Sequence, residues 1–306
     1  MAQDPTEASR IEDLVTYCRG MRLGFSSMNN PVDLAPDALA RELEARGYDS
    51  LWVGEHSHIP VSRRTPYPAG GEMPEQYKWM MDPFLSLLLA ATASQDLLLG
   101  TGVALPLEHD LLDLAKTVST LDRLSGGRLL FGVGVGWNEE ELANHRPVAW
   151  AQRYRALGES VAALRVLWTD EEPEFHGEFY DFDPVWSFPK PLRQPHPPVL
   201  CGTAGRVGTR EAVSWANGWM PMDIALGNVP KKVARFREAA AGAGRDPDAI
   251  PITLVTFGDP DLPTLAGYRD IGVERVIIGA ARTGWDDPAT TLPCLDTYAA
   301  MIPELG

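Results

Sequence analysis

From Met21 onward, eight short runs rich in apolar and β-branched residues alternate with stretches of helical periodicity. That alternation restricts the chain to parallel strands joined by crossover helices. The strand runs are MRLGFSS from Met21, SLWVGEH from Ser50, LLLGTGVA from Leu97, RLLFGVGVG from Arg128, PPVLCGT from Pro197, GWMPM from Gly218, PITLVTFG from Pro251 and ERVIIGA from Glu274. Most are apolar on both faces, as strands covered from both sides must be. Between them, Leu111, Leu114, Ala115, Val118 and Leu121 fall on one helix face, and Tyr154, Leu157, Val161, Leu164 and Trp168 on another, so each helix carries one buried stripe. Eight such units without a length break point to a closed (β/α)8 TIM barrel of the α/β class. An open doubly wound sheet usually has about five to seven strands and a switch point. Residues 21–306 are therefore expected to form one domain, with residues 1–20 as an N-terminal extension, helical from Ile11 to Tyr17.

Charge and cysteine usage narrow the partners. With 42 acidic against 27 basic residues the formal charge is −15, which disfavours nucleic acid and anionic membranes and leaves any anionic ligand to be held by local groups. Cys18, Cys201 and Cys294 have neither disulfide-framework nor zinc-site spacing. The N-terminus lacks an apolar core, and the longest apolar run, Phe84–Ala93, is too short to cross a bilayer. A cytoplasmic location is the expectation.

Two connections are long. Ile59–Met81, after the second strand, is rich in proline, glycine and aromatics and ends at Asp82-Pro83, where a helix should start. Thr169–Pro198, after the fourth, contains FHGEFYDF and FPKPLRQPHPP, whose prolines exclude a long helix. The first leaves the end of the barrel where such enzymes place their chemistry, and is expected to wall a substrate site. The second should seal one side of the barrel.

Polar residues at strand C-terminal ends are the candidates for chemistry. They include Ser26 and Ser27, Glu55, His56 and His58, the Gly102–Pro106 segment, Gly134–Glu141, Gly202–Arg206 and Asp223. Glu55-His56-Ser57-His58 is the densest titratable cluster, and a histidine placed there suits proton transfer near neutral pH. The H-x-H spacing also admits a zinc hydrolase, but later strand ends offer only Asp223 and Asp259 as further ligands. GVGVGW from Gly132 has alternate glycines. They either clear space for a flat ring lying against backbone or allow close packing inside the barrel. Cys201-Gly202-Thr203-Ala204-Gly205-Arg206 leads into a helix near Val207, whose free amides would suit a phosphate; a plain strand-to-helix turn is the alternative.

These segments together resemble the luciferase-like monooxygenase superfamily, most closely its coenzyme F420-dependent oxidoreductase branch. The resemblance runs through ARGYDSLWVGEH (45–56), LLLGTGVALPL (97–107), LAKTVSTLDRLSGGRLLFGVGVGWNEEE (114–141), FHGEFYDF with PKP (175–191) and PPVLCGTAGRVGTREAVSWANGW (197–219). It implies a deazaflavin or FMN lying across the strand ends, with its phosphate at the loop after the fifth barrel strand. It also implies His56 beside the reactive ring with Glu55 positioning it, and a non-proline cis peptide at Gly102-Val103. The expected cofactor-binding residues are thus Ser26, Gly102, Val103, Ala104, Gly134, Gly136, Trp137, Gly202, Thr203, Ala204, Gly205 and Arg206, with no metal. Trp137 stands where sugar-phosphate dehydrogenases of this branch carry a glutamate, and GTAGR departs from the commoner phosphate-loop string. The expected reaction is hydride transfer between reduced coenzyme F420 and a small organic substrate. The alternatives are an FMN-dependent monooxygenase with a separate reductase partner and a non-catalytic cofactor-binding protein. A homodimer is the assembly that the resemblance implies.

Overall fold

The structure, a computed structural model, describes residues 20–145, 148–279 and 288–306; the helix expected at Ile11–Tyr17, and Cys18, lie outside them. All eight expected strands are present: β1 Arg22–Ser27, β2 Ser50–Val53, β3 Leu98–Thr101, β4 Leu129–Val133, β7 Val199–Cys201, β8 Gly218–Trp219, β9 Thr253–Val255 and β10 Arg275–Ile278. They are parallel throughout, in the order β8-β7-β4-β3-β2-β1-β10-β9. Bridges Trp219↔Ile252 and Met222↔Val255 join the two outer strands, so the sheet closes into a (β/α)8 barrel. Two further strands, β5 Phe175–His176 and β6 Asp181–Phe182, form an antiparallel hairpin inside the second long connection. That hairpin is missing from the sequence reading, because two-residue strands carry no periodicity.

The main outer helices are α1 Pro36–Ala45, α2 Pro83–Ala93, α3 Leu111–Leu124, α4 Glu139–His145, α5 Arg153–Thr169, α6 Arg206–Trp215, α7 Asp223–Leu226, α8 Val229–Gly242, α9 Leu262–Asp270, α10 Pro288–Ala299 and α11 Ile302–Leu305. Local chemistry sets their starts. Asp82 caps α2 by accepting from the Leu85 amide at 2.8 Å, with Pro83 fixing the first turn. Asp110 caps α3 in the same way. At the end of α3, Gly126 and Gly127 take φ of +69° and +79°, a left-handed turn that glycine adopts without cost. Arg128 follows, buried, and donates to the carbonyls of Ala91, Leu97 and Ser125 and to Ser94 Oγ at 2.7–2.9 Å. The LSGGR string is thus a clamp binding the end of α3 to α2 and to the start of β3.

Two apolar regions hold the barrel. The larger lies between strands and helices, where the expected stripe on α3 is buried. On α5 the stripe is buried from Leu157 to Trp168, whereas Tyr154 lies at the edge of the barrel mouth. The smaller region fills the barrel interior with Leu98, Leu130, Leu200, Met220, Val255 and Ile277 around Trp52. Trp52 is fully buried and anchors its indole N–H on Ser50 Oγ at 2.8 Å. Its bulk is admitted by glycines on both flanking strands. A Cβ on Gly100 would stand 2.2 Å from Trp52 Cε3, and one on Gly24 2.9 Å from Nε1. Packed lower layers of this kind leave only the C-terminal end of the barrel open.

Gly100→Ala is therefore expected to destabilise the protein by about 1–3 kcal/mol through overpacking against Trp52. Gly242→Ala, where a Cβ meets nothing within 4 Å, should be neutral or stabilising by up to about 1 kcal/mol. Urea midpoints of the two variants, measured together, check the contrast.

Candidate active site

At the strand C-terminal ends lies a cavity of about 350 Å³, within the range of small-molecule sites. Each barrel strand from β1 to β9 contributes to its wall. Ser26 follows from β1, Glu55 and His56 from β2, Gly102 and Val103 from β3, and Gly134, Gly136 and Trp137 from β4. Gly202, Thr203, Ala204 and Gly205 follow β7. The first long connection closes the remaining side with Tyr77 and Met80, the position expected for it. It is held there by Asn29, which exchanges hydrogen bonds with the Met81 backbone at 2.8 and 2.9 Å. The second long connection packs elsewhere, its Arg193 amide on Asp122 at 2.8 Å and its Phe179 amide on Glu159 at 2.6 Å.

The catalytic-pair expectation changes in one respect. Glu55 and His56 are consecutive just past the end of β2, and their side chains part. Glu55 turns away from the imidazole and accepts from the Leu105 amide and from His109 Nε2, both at 2.6 Å. Burial lowers the pKa of His109, yet the Glu55 carboxylate raises it on balance. The group that orients His56 is Glu141, whose Oε2 lies 2.7 Å from Nδ1, with the side chains 1% and 7% exposed respectively. On the other side, the Trp137 indole N–H donates to His56 Nε2 at 3.1 Å. An indole can only donate, so these two partners assign the neutral ring a proton on Nδ1 and a lone pair on Nε2, facing the cavity. Tyr77 and Trp137 stand edge-on to the imidazole, and Tyr67 packs against both. The result is an aromatic collar around an imidazole whose side chain is 7% exposed.

Two expected cofactor residues lie outside the cavity. Ala104 is fully buried in the wall between β3 and β4, its amide on the Gly132 carbonyl at 2.8 Å, and its neighbour Val103 lines the cavity instead. Arg206 opens α6 and is turned outward into a surface groove with Arg210, Lys232 and Arg235. His58 also leaves the site, bonding Ser57 and Asn144 at 2.8 Å each. Among the described residues no group of three His, Cys, Asp or Glu is placed to hold a metal. The alternate glycines of GVGVGW owe more to packing than to ring space. A Cβ on Gly132 would meet the Thr101 carbonyl oxygen at 2.1 Å, one on Gly134 would meet Val103 Cγ2 at 2.7 Å, and Gly136 has a positive φ of 68°. The Gly102-Val103 peptide is cis.

The loop after β7 is better suited to an anion. Helix α6 starts at Arg206 with no side-chain cap. Among the described residues, the amides of Ala204, Gly205 and Arg206 donate no hydrogen bond within the protein. Such free donors at a helix start carry a partial positive charge and bind phosphate. A Cβ on Gly205 would meet nothing within 4 Å, so the space beside this residue is open.

Glu141 fell inside the candidate segment Gly134–Glu141 without a role of its own, since an acidic helix start normally serves solvent and the helix dipole, and a second carboxyl, Glu108, was missed by sequence reasoning. Burial, then the charges of Glu141 and Glu55, pushes Glu108 up to about 9. It therefore keeps its proton in the native state while an unfolded chain releases it near the ordinary value of 4.5. Between those limits the unfolded state binds fewer protons, so this residue lowers stability as pH rises. Glu108→Gln should remove that slope: its melting-temperature gain over the parent is expected to grow from pH 5.5 to pH 8, and thermal scans at the two values check it.

Comparison with known proteins agrees with this architecture. The profile of the luciferase-like monooxygenase family matches residues 36–258. An uncharacterised Mycobacterium tuberculosis protein is 38% identical over 278 residues, covering 88% of this chain and 95% of the relative. A coenzyme F420-dependent hydroxymycolic acid dehydrogenase of the same organism is 28% identical over 215 residues, 70% of this chain and 55% of that protein. An FMNH2-dependent dimethylsulfone monooxygenase of Pseudomonas putida is 36% identical over 145 residues, 47% of this chain and 39% of that protein. With its parallel eight-stranded barrel and a family profile spanning most of its length, the chain belongs to the luciferase-like monooxygenase family.

Proposed function

We propose that this protein is a coenzyme F420-dependent oxidoreductase in which His56, oriented by Glu141, moves a proton to or from a small organic substrate. The observation that carries the reading is the buried Glu141–His56 pair, with its Nε2 directed into a cavity that also contains the free amides of the α6 start. Those amides, from Ala204 to Arg206, would hold the cofactor phosphate. Gly54, Gly102 and Val103, with the backbone at Gly134 and Gly202, would support the ring. When bound, coenzyme F420 supplies a ring carbon that gives or accepts hydride.

The protein's own part is acid–base and positional. In the direction of oxidation, His56 Nε2 takes the hydroxyl proton of the substrate as its partner carbon loses hydride. The Trp137 N–H yields its place to that hydroxyl. Glu141 accepts from Nδ1 and so favours the charged ring as Nε2 takes up the proton. In the reverse direction His56 returns the proton to the carbonyl oxygen. Tyr67, Tyr77 and Trp137 keep water away from both groups.

The dehydrogenase relative, which uses coenzyme F420, supports this reading. The monooxygenase relative, which uses FMNH2, supports a second one in which FMN occupies the same amides and a separate reductase delivers it reduced. The placement of a base at His56 favours the first, because alcohol–carbonyl interconversion requires proton transfer at oxygen.

His56→Ala is expected to lower coenzyme F420-dependent turnover by about 10²–10⁴-fold while cofactor affinity stays within about tenfold, read from absorbance assays over a panel of alcohols and carbonyls. Gly205→Asp should fold normally, its new side chain entering open space, but lose cofactor binding because a carboxylate then faces the phosphate. Normal turnover and binding in both variants would overturn the assignment.

A further inference from the structure

With a ligand in the cavity, His56, whose side chain is 7% exposed, loses the barrel mouth as a path to water, so a proton it acquires needs another route. Glu141 has spent Oε2 on His56, and its Oε1 is buried without a hydrogen-bond partner. Glu108, at the end of the short turn Pro106–Glu108, has a side chain only 4% exposed, and its Oε2 likewise has no hydrogen-bond partner. The charge on Glu141 acts directly on Glu108. Two carboxyls buried together do not both ionise, because each negative charge opposes the other in a medium of low dielectric. One of them therefore carries a proton. On the side away from His56, Glu108 Oε2 lies 3.6 Å from His145 Nε2, and that ring is 26% exposed. His145 Nε2 also meets Ser57 Oγ at 2.6 Å, which reaches His58 Nδ1 at 2.8 Å. Helix α4, which carries both Glu141 and His145, packs on the turn that ends at Glu108, so these groups stand between His56 and the surface.

We propose that Glu108 and His145 form the proton outlet of the site, carrying the proton from His56 and Glu141 to water at the α4 surface without opening the barrel mouth. This rests on the reading of His56 as the acid–base group. The balance is simple. The substrate hydroxyl proton enters at His56 Nε2 and the Nδ1 proton passes to Glu141. The carboxyl pair hands a proton to His145 Nε2, whose other nitrogen releases one to solvent. One proton enters, one leaves, and the electron pair departs with the hydride to the oxidised cofactor.

The other charged groups around Glu108 stand outside this route. Glu55 is occupied by His109 and the Leu105 amide. His58 faces His145 and, with burial, keeps its pKa low, so His145 is neutral and able to accept near pH 7.

The test begins in the cofactor-free protein. With histidine side chains labelled with ¹⁵N, the His56 ring signal should show an inflection near pH 9, where Glu108 ionises at about 9. Glu108→Gln should abolish that inflection, while His145→Gln should retain it. In turnover, each variant should lose about tenfold in kcat, with KM and cofactor affinity within twofold and an increased solvent deuterium isotope effect. Added imidazole should restore His145→Gln. A His56 titration in Glu108→Gln superimposable on the parent, or an unchanged kcat in both variants, would overturn the outlet. If His56→Ala turns over normally the acid–base reading fails first; if only His56→Ala is impaired, the outlet alone is wrong. His145→Gln, at the surface, keeps the test open should Glu108→Gln fail to fold.

Discussion

The hydrogen bond between Glu141 and His56 is the contact on which the chemistry proposed for this site depends. Neither residue is useful alone. A buried carboxylate without a partner is costly, and a lone imidazole would be free to choose its tautomer. Joined at 2.7 Å, with the Trp137 indole opposite, they leave one lone pair pointing at one place. The barrel makes that meeting possible. Glu141 arrives on α4 after β4, His56 at the end of β2, and only closure of the parallel sheet brings the two onto one rim.

Filling of the lower barrel matters as much as closure. Trp52 occupies the interior because Gly24 and Gly100 give it room, and the layer of Leu98, Leu130, Leu200 and Ile277 completes the floor. A ligand can enter from the C-terminal end alone. There it meets backbone amides at one side and the histidine at the other. In a chain of charge −15, free amides at the α6 start would supply to the proposed phosphate the local positive field that net charge does not.

The fold was legible because each strand is a compact apolar run and each helix has a stripe, signals that survive in one dimension. Strand ends then located most of the cavity, from Ser26 to Gly205. What failed did so for definite physical reasons. Glu55 and His56 look like a pair in sequence, but past the end of β2 their side chains part, and Ala104 turns into the wall while Val103 takes the cavity. Arg206 belongs to the first turn of a helix and rotates outward. Glu139, Glu140 and Glu141 read alike on paper. Glu140 remains at the surface, bonding Thr65 at 2.7 Å, whereas Glu141 sits beside buried Leu142 on the inner face, a distinction that exists only once α4 is docked. The LSGGR part of the family-like segment 114–141 proved to be structural, since Arg128 serves four backbone and side-chain acceptors away from the cavity.

Everything proposed for the site presupposes that a planar redox cofactor occupies the cavity. Equilibrium titration of the purified protein with coenzyme F420 and with FMN, followed by fluorescence, tests this most directly. Saturable binding of coenzyme F420 at micromolar concentration, tighter than that of FMN, is the expected result. Binding of neither cofactor in that range, oxidised or reduced, would contradict it.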